Sequence, residues 1–131
     1  MRMLEQEEEN DDTAEVTWED QQRINTFSKL NNRIRIIEEK LTELKDEKEA
    51  LDDLSTELEL ADEDEPVLYK IGEAFVHMSH PRALKRLEKD QSSVDTRVGV
   101  LAAQADECET QMKELKVMLY SKFGKAINLD E

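Results

Sequence analysis

The sequence contains few of the residues that crosslink or interrupt a chain. Its 131 residues include one cysteine, two prolines and three glycines. One cysteine excludes an intrachain disulfide, and the N-terminus turns acidic at once, where an export signal would carry basic and then apolar residues. We therefore expect a reducing compartment, the cytoplasm or the nucleus.

Long apolar runs and clusters of basic residues are also missing. No run approaches the roughly 20 apolar residues that span a membrane, so we expect no membrane partner. The formal net charge is −15, and no basic patch is present that could neutralise a phosphate backbone. We therefore expect no nucleic-acid partner either.

Residue types that carry chemistry do not form a recognisable arrangement. The sequence shows no nucleophile–base pair, phosphate-binding loop or cleft with two carboxylates, so we expect neither an enzyme nor a bound cofactor. His77 and His80 have no cysteine near them and no acid placed to complete a ligand set, so we expect no metal site.

The acidic charge is concentrated in two short segments. Residues 5–15 carry seven acids and no base, residues 62–65 carry four more acids, and the remaining chain is close to balanced. A composition that is 39% charged can indicate disorder. We predict disorder only for residues 1–15, as an acidic tail that either keeps the chain soluble or docks a basic partner.

Elsewhere the apolar residues recur every seven positions, in two stretches. This pattern is typical of coiled-coil helices, whose a and d positions form the contact seam. Cys108 lies at d, where it acts as a small apolar side chain. Lys48, Ser55, Gln91 and Lys122 interrupt the seam, either to specify its register or because the seam tolerates them. The apolar a positions are Phe27, Ile34, Leu41, Leu84, Val98, Ala105, Met112 and Leu119, and the apolar d positions are Leu30, Ile37, Leu44, Leu51, Leu58, Leu87, Val94, Leu101, Cys108 and Leu115.

A short β-like segment separates the two heptad stretches. Thr17 and Asp20 have the spacing of a capping box at the start of the first helix, and Pro66 ends that helix. Residues 67–71 and 74–78 are rich in β-branched and aromatic residues around Gly72, which predicts a β-hairpin. Pro81 suits the first position of a second helix, and Gly124 suits its C-terminal end. The predicted segments are an N-terminal helix at 16–61, an acidic loop and hairpin at 62–80, a C-terminal helix at 81–123 and an apolar tail at 124–131.

Two helices of equal length joined by a tight hairpin can pair with each other. Antiparallel pairing places Leu58 near Leu84–Leu87 and Phe27 beside Leu119. A lone two-stranded hairpin is marginal in water, so we expect the hairpin to join strands from other chains. The predicted fold class is therefore mainly α, a long antiparallel two-helix coiled coil joined by one β-hairpin that serves assembly.

Apolar residues outside the seam gather at the end of the coil that lies away from the hairpin. Exposed apolar surface of this kind marks an interaction site. The alternative is that these residues fold back and close the end of the coil, and both can be partly true. The eight residues are Val16, Trp18, Ile24, Val117, Tyr120, Phe123, Ile127 and Leu129.

Three sequence segments resemble the prefoldin family, and within it the β-class subunits. The first is residues 16–25 (VTWEDQQRIN), and the last is residues 119–129 (LYSKFGKAINL). The middle segment consists of residues 60–62 (LAD) together with residues 69–75 (YKIGEAF). The resemblance implies a hetero-hexamer of two α-class and four β-class subunits whose hairpins form a β-barrel platform. It also implies ATP-independent binding of non-native proteins, such as actin and tubulin, at the coil ends and their delivery to the cytosolic chaperonin.

Carried onto this chain, the resemblance assigns two groups of residues. The expected assembly residues are Val67, Leu68, Tyr69, Ile71, Phe75, Val76 and Met78. The expected client-binding residues are Val16, Trp18, Ile24, Tyr120, Phe123, Ile127 and Leu129. The alternative function is a structural coiled-coil adaptor or tether without chaperone activity, but a tether has no need for a strand pair at the midpoint of the chain.

Overall fold

The computed structural model describes residues 2–3 and 15–129. Two long helices with a β-hairpin between them account for most of these residues, which confirms the fold predicted from the sequence. The predicted acidic tail lies outside the described residues, except for Glu15 and a short strand at its start. The elements are β1 (Arg2–Met3), α1 (Trp18–Leu60), β2 (Val67–Ile71), β3 (Ala74–Met78), α2 (His80–Phe123), a 3-10 turn (Gly124–Ala126) and β4 (Ile127–Asn128).

Helix α1 begins with the predicted capping box. The Thr17 N–H donates to Asp20 Oδ2 and the Asp20 N–H donates to Thr17 Oγ1, both at 3.1 Å. These two bonds satisfy amide groups that the first turn of a helix leaves without partners. The helix ends at Leu60, and the following acidic loop turns on Asp62, whose carboxylate accepts the Asp64 N–H at 2.9 Å.

The hairpin has the strand boundaries that the sequence predicts. Strands β2 and β3 pair antiparallel, with Val67 opposite Met78 and Ile71 opposite Ala74. Gly72 lies in the turn at φ +62°, a backbone conformation that glycine adopts without strain.

Helix α2 begins one residue before the predicted boundary, at His80. The Ser79 carbonyl accepts the Ala83 N–H at 2.9 Å, and Ser79 Oγ accepts the Arg82 N–H at 3.4 Å, so Ser79 caps the helix. Pro81 is therefore the second helical residue. Its missing N–H costs nothing there, because the amide groups of the first turn have no intrahelical partner.

The chain divides into two compact units, each with its own apolar core. The terminal unit comprises Met1–Glu38 and Ala102–Glu131, and the hairpin unit comprises Glu39–Leu101. Phe27 and Leu119 share one core, and Leu58 and Leu87 share the other, as the antiparallel register predicts. Seven of the ten apolar d positions are buried in one unit or the other, while most a positions are half-buried.

Candidate functional site

A buried carboxylate joins the two helices at the end of the terminal unit. Continuing the heptad one repeat before Phe27 places Asp20 at a, and its side chain is only 2% exposed. Besides the Thr17 amide, Asp20 bonds to the Lys122 ammonium of α2, and its Oδ1 accepts from Arg23 Nη1 at 3.0 Å. The seam therefore ends in an ion pair between an a and a d position.

This environment keeps Asp20 ionised. The hydrogen bond from Lys122 is the main cause that lowers the pKa of Asp20 from 3.8 to about 2, and the Thr17 bonds act in the same direction. Burial opposes them, because it disfavours a charged carboxylate. The cap, the seam and the ion pair thus depend on one deprotonated side chain.

Next to this ion pair lies an apolar cluster that includes the C-terminal segment. The chain leaves α2 at Gly124, where φ is +56°, and β4 then pairs with β1. The Leu129 N–H donates to the Tyr120 hydroxyl oxygen at 3.2 Å, which fixes the end of the segment. We call this set the terminal cluster; its buried members are Ile24, Phe27, Leu119, Phe123, Ala126, Ile127 and Leu129, and Met112, Leu115 and Tyr120 pack against it.

The structure separates the seven expected client-binding residues into two groups. Ile24, Phe123, Ile127 and Leu129 are buried in the terminal cluster, and Tyr120 is half-buried against it. Val16 and Trp18 are exposed, Trp18 by 72%. Most of these residues thus fold back against the helices, which is the alternative that the sequence left open. Client binding by any of the seven stays a prediction.

Two further apolar side chains are exposed in the last turns of α2. Val117 is 70% exposed, and its neighbour Met118 is 47% exposed. Val117 was among the eight residues noted outside the seam, but Met118 was missed. The sequence does indicate Met118, because it is an apolar side chain at a g position, outside the seam and next to Val117. We call Val16, Trp18, Val117 and Met118 the exposed terminal set.

In the hairpin unit, one face of the hairpin packs on the helices. Tyr69 is almost completely buried with Leu58, Ala83 and Leu87, and Val67, Ile71 and Met78 pack against this cluster. The Tyr69 hydroxyl donates to Asp90 Oδ2 at 2.8 Å, and Arg86 Nε donates to Asp90 Oδ1 at 3.1 Å. Burial, followed by the bond to Asp90, raises the pKa of the Tyr69 phenol well above its usual range.

A buried histidine joins α1 to the start of α2. His80 Nε2 lies 2.7 Å from the Leu58 carbonyl oxygen and donates to it, since a carbonyl can only accept. This carbonyl belongs to the last turn of α1, whose carbonyl groups have no intrahelical partner. His77, in contrast, is exposed on β3. The residues covered by the structure contain no group of His, Cys, Asp and Glu side chains that could hold a metal ion.

The outer face of the hairpin carries apolar residues. Residues directly opposite in an antiparallel pair share a face, so Leu68 and Phe75 lie with His77 and Lys70 on the side away from Tyr69. Phe75 is 61% exposed, and Leu68 is also exposed. Of the seven expected assembly residues, only these two lie on the outer face; Val67, Tyr69, Ile71, Val76 and Met78 lie on the face toward the helices.

Polar residues that interrupt the seam of the hairpin unit bond across it. Lys48 Nζ lies 3.0 Å from Asp95 Oδ1, and Gln91 Nε2 donates to Asp52 Oδ1 at 3.4 Å. Each pair joins an a position of one helix to an e position of the other. The two pairs are reciprocal and thus favour one register of the seam.

Neither long helix contains a stretch apolar enough to cross a membrane within the part of the chain that the structure describes. Cys108 is free and buried at its d position, as the heptad predicts. Exposed apolar side chains lie on the outer face of the hairpin and in the terminal unit, so these are the two candidate interaction sites.

The sequence of this chain matches a known protein family over most of its length. Residues 21–126 match the family described as "Prefoldin subunit". The chain belongs to the prefoldin family. Prefoldin subunit 4 of Saccharomyces cerevisiae is 43% identical over 130 residues, which is 99% of each chain. Prefoldin subunit 4 of Homo sapiens is 33% identical over 88% of this chain and 87% of its own.

A solved structure shows the same fold. The prefoldin beta subunit from Thermococcus strain KS-1 superposes with a TM-score of 0.73 over 85% of this chain and 97% of its own, at 15% identity. Two long helices with a hairpin between them are thus the prefoldin fold. As a prefoldin subunit of the subunit 4 type, the chain is a co-chaperone component that assembles with other prefoldin subunits.

Proposed function

We propose that this prefoldin subunit is one of four β-class chains that join two α-class chains in a hetero-hexameric, ATP-independent co-chaperone. It holds non-native proteins such as actin and tubulin and passes them to the cytosolic chaperonin. Its place of action is the cytoplasm, and also the nucleus.

The exposed terminal set is the observation that carries the client-binding part of this proposal. Trp18 and Val117 leave more than two thirds of their surface in solvent, although each could be polar without disturbing a core. Such side chains offer apolar contact area without requiring one client shape. Weak contacts of this kind gain strength when several subunits of one assembly bind the same client.

The hairpin supports the assembly part. Strands β2 and β3 form a two-stranded sheet, and a two-stranded sheet has an unpaired edge on both strands. Leu68 and Phe75 expose apolar surface on its outer face. Neighbouring strands would pair with these edges and cover these side chains, which supports a shared β-barrel platform.

The test replaces the three most exposed members of the exposed terminal set while leaving the terminal cluster intact. We expect the triple variant Trp18→Ser, Val117→Ser, Met118→Ser to assemble normally by native mass spectrometry but to lose most of its suppression of actin aggregation. Ile36→Ser is the matched control, because Ile36 is exposed in the same unit but lies outside this set. Unchanged suppression by the triple variant would contradict the proposed site, and a homodimer in place of a hexamer would favour the tether.

A further inference from the structure

The C-terminal segment covers apolar surface that α1 and α2 build. After Gly124 the chain turns back, and Ile127 adopts an extended conformation with φ −134° and ψ 141°. Ala126, Ile127 and Leu129 are buried against side chains of both helices, among them Ile24 and Phe123. Residues 124–129 thus occupy a site whose walls are the ends of the two helices.

Backbone hydrogen bonds hold this segment at two places among the described residues. Its end is fixed by the bond between the Leu129 N–H and the Tyr120 hydroxyl, and its strand pairs with the two residues of β1. Such a short ladder is marginal in water, and ordering the segment costs chain entropy. Burial of Ile127 and Leu129 also holds the segment, but any apolar segment seated on the same surface would supply equivalent burial, so one can replace the other while the helices stay paired.

The bound segment also has the chemistry of an unfolded chain. Ile127 and Leu129 are buried, while Asn128 between them is half-buried, which is the alternation of an extended strand lying on an apolar surface. Short extended stretches with alternate apolar residues are what a non-native protein exposes. The site therefore fits the backbone conformation and the side chains that a client would bring.

We propose that an extended apolar segment of a client binds the surface now covered by residues 124–129, so that this segment is an internal competitor of client. This inference rests on the proposed function. It divides the terminal unit by role: the exposed terminal set makes the first contact, and displacement of the segment then opens the surface around Ile24, Phe27, Leu119 and Phe123.

The experiment frees the segment within the assembled complex. The variant Ile127→Ser, Leu129→Ser removes the two side chains that seat it and leaves α1 and α2 unchanged. The probe is fluorescently labelled, reduced and carboxymethylated lactalbumin, which stays unfolded. We expect the Kd of the variant complex for this probe to fall about tenfold if the segment covers the site about nine-tenths of the time.

Two further measurements distinguish competition from a general loosening of the unit. A peptide with the sequence of residues 124–131, added to the variant complex, should weaken probe binding, whereas the same peptide with serine at the Ile127 and Leu129 positions should not. Tyr120→Phe removes only the hydroxyl that accepts the Leu129 N–H, so it should shift the Kd in the same direction by a smaller factor.

The opposite results are equally clear. Equal or weaker probe binding by the double-serine variant overturns the competition, since the segment is then neutral or itself contacts client. In that case wild-type binding leaves the proposed function standing. Absence of probe binding in both complexes overturns the proposed function together with the inference.

Discussion

In the terminal unit the ion pair of the seam includes a buried carboxylate, whereas in the hairpin unit both side chains of the seam's ion pair are exposed. The Asp20 carboxylate is almost inaccessible and accepts from the Thr17 N–H, Arg23 and Lys122. Lys48 and Asp95 are both more than half exposed. The two ion pairs thus have unequal energetic weight, because solvent screens an exposed pair, whereas a buried charge depends on every partner.

Some apolar residues also differ in burial between the two units. The hairpin unit leaves Leu68 and Phe75 exposed on its outer face, while the terminal unit covers Ile24 and Phe123 with its own C-terminal segment. Under the proposed function, the open surface would meet a permanent neighbour and the covered one would make transient contacts. The predictions below test this contrast, beginning with the largest expected effect.

The same substitution should have different consequences in the two units. Phe123→Ala empties a fully buried site and should lower the free energy of local unfolding in the terminal unit by about 3–5 kcal/mol. Phe75→Ala removes an exposed ring and should change the free energy of local unfolding in the hairpin unit by less than about 0.5 kcal/mol. This variant should nevertheless weaken assembly. Hydrogen exchange measures the first effect and native mass spectrometry the second; equal effects of both variants would refute the contrast.

Removing one charge should separate the two kinds of ion pair. Asp20→Asn keeps the side-chain shape but loses charge-assisted bonds to Lys122 and Arg23, so it should destabilise the terminal unit by about 1–3 kcal/mol. Asp95→Asn, the matched control, breaks an exposed pair and should leave unfolding unchanged within error. Hydrogen exchange of amides near each site gives both values.

The contribution of Asp20 to the stability of the terminal unit should also depend on pH. Its pKa is about 2 in the folded chain and 3.8 ordinarily, so the folded state favours the ionised form. The stabilisation is present in full above the unfolded pKa and disappears as the pH falls from about 4 toward 2. Asp20→Asn should reduce the loss of terminal-unit stability over this window, and an unchanged acid profile would contradict the assignment.

The smallest effect is expected beneath the hairpin. Tyr69→Phe keeps the packing of the ring and removes only the bond to Asp90, which Arg86 still holds. We expect a loss of about 0.5–1.5 kcal/mol in the hairpin unit. Hydrogen exchange of the β2 and β3 amides measures it. No change there would show that water replaces the phenol without cost.

Much of the secondary structure could be predicted, because its signals are local. The capping box of Thr17 and Asp20 and the turn at Gly72 both lie within four residues of the features that they determine. The strands 67–71 and 74–78 coincide with the observed ones for the same reason. The predicted start of α2 was one residue too late, because Ser79 caps the helix and His80 is its first residue.

The candidate site could be predicted only in part. The sequence indicated that apolar residues gather at one end of the coil, but not which of them the chain would cover itself. The bond between Asp20 and Lys122 joins residues 102 positions apart, and the bond between Tyr69 and Asp90 crosses from a strand to a helix. Asp20 and Lys122 both fall on heptad positions, but the repeat does not indicate that they pair, and the Tyr69–Asp90 pair leaves no periodic signal.

The sequence alone determined the heptad register, the cap of α1 and the hairpin, because each depends on the conformation of neighbouring residues or on a repeat along the chain. Only the tertiary structure decided that Ile127 and Leu129 are buried while Trp18 and Val117 stay exposed. All four are apolar residues outside the seam. Their burial depends on how the chain folds after Gly124, and burial is a property of what lies around a side chain rather than of the side chain itself.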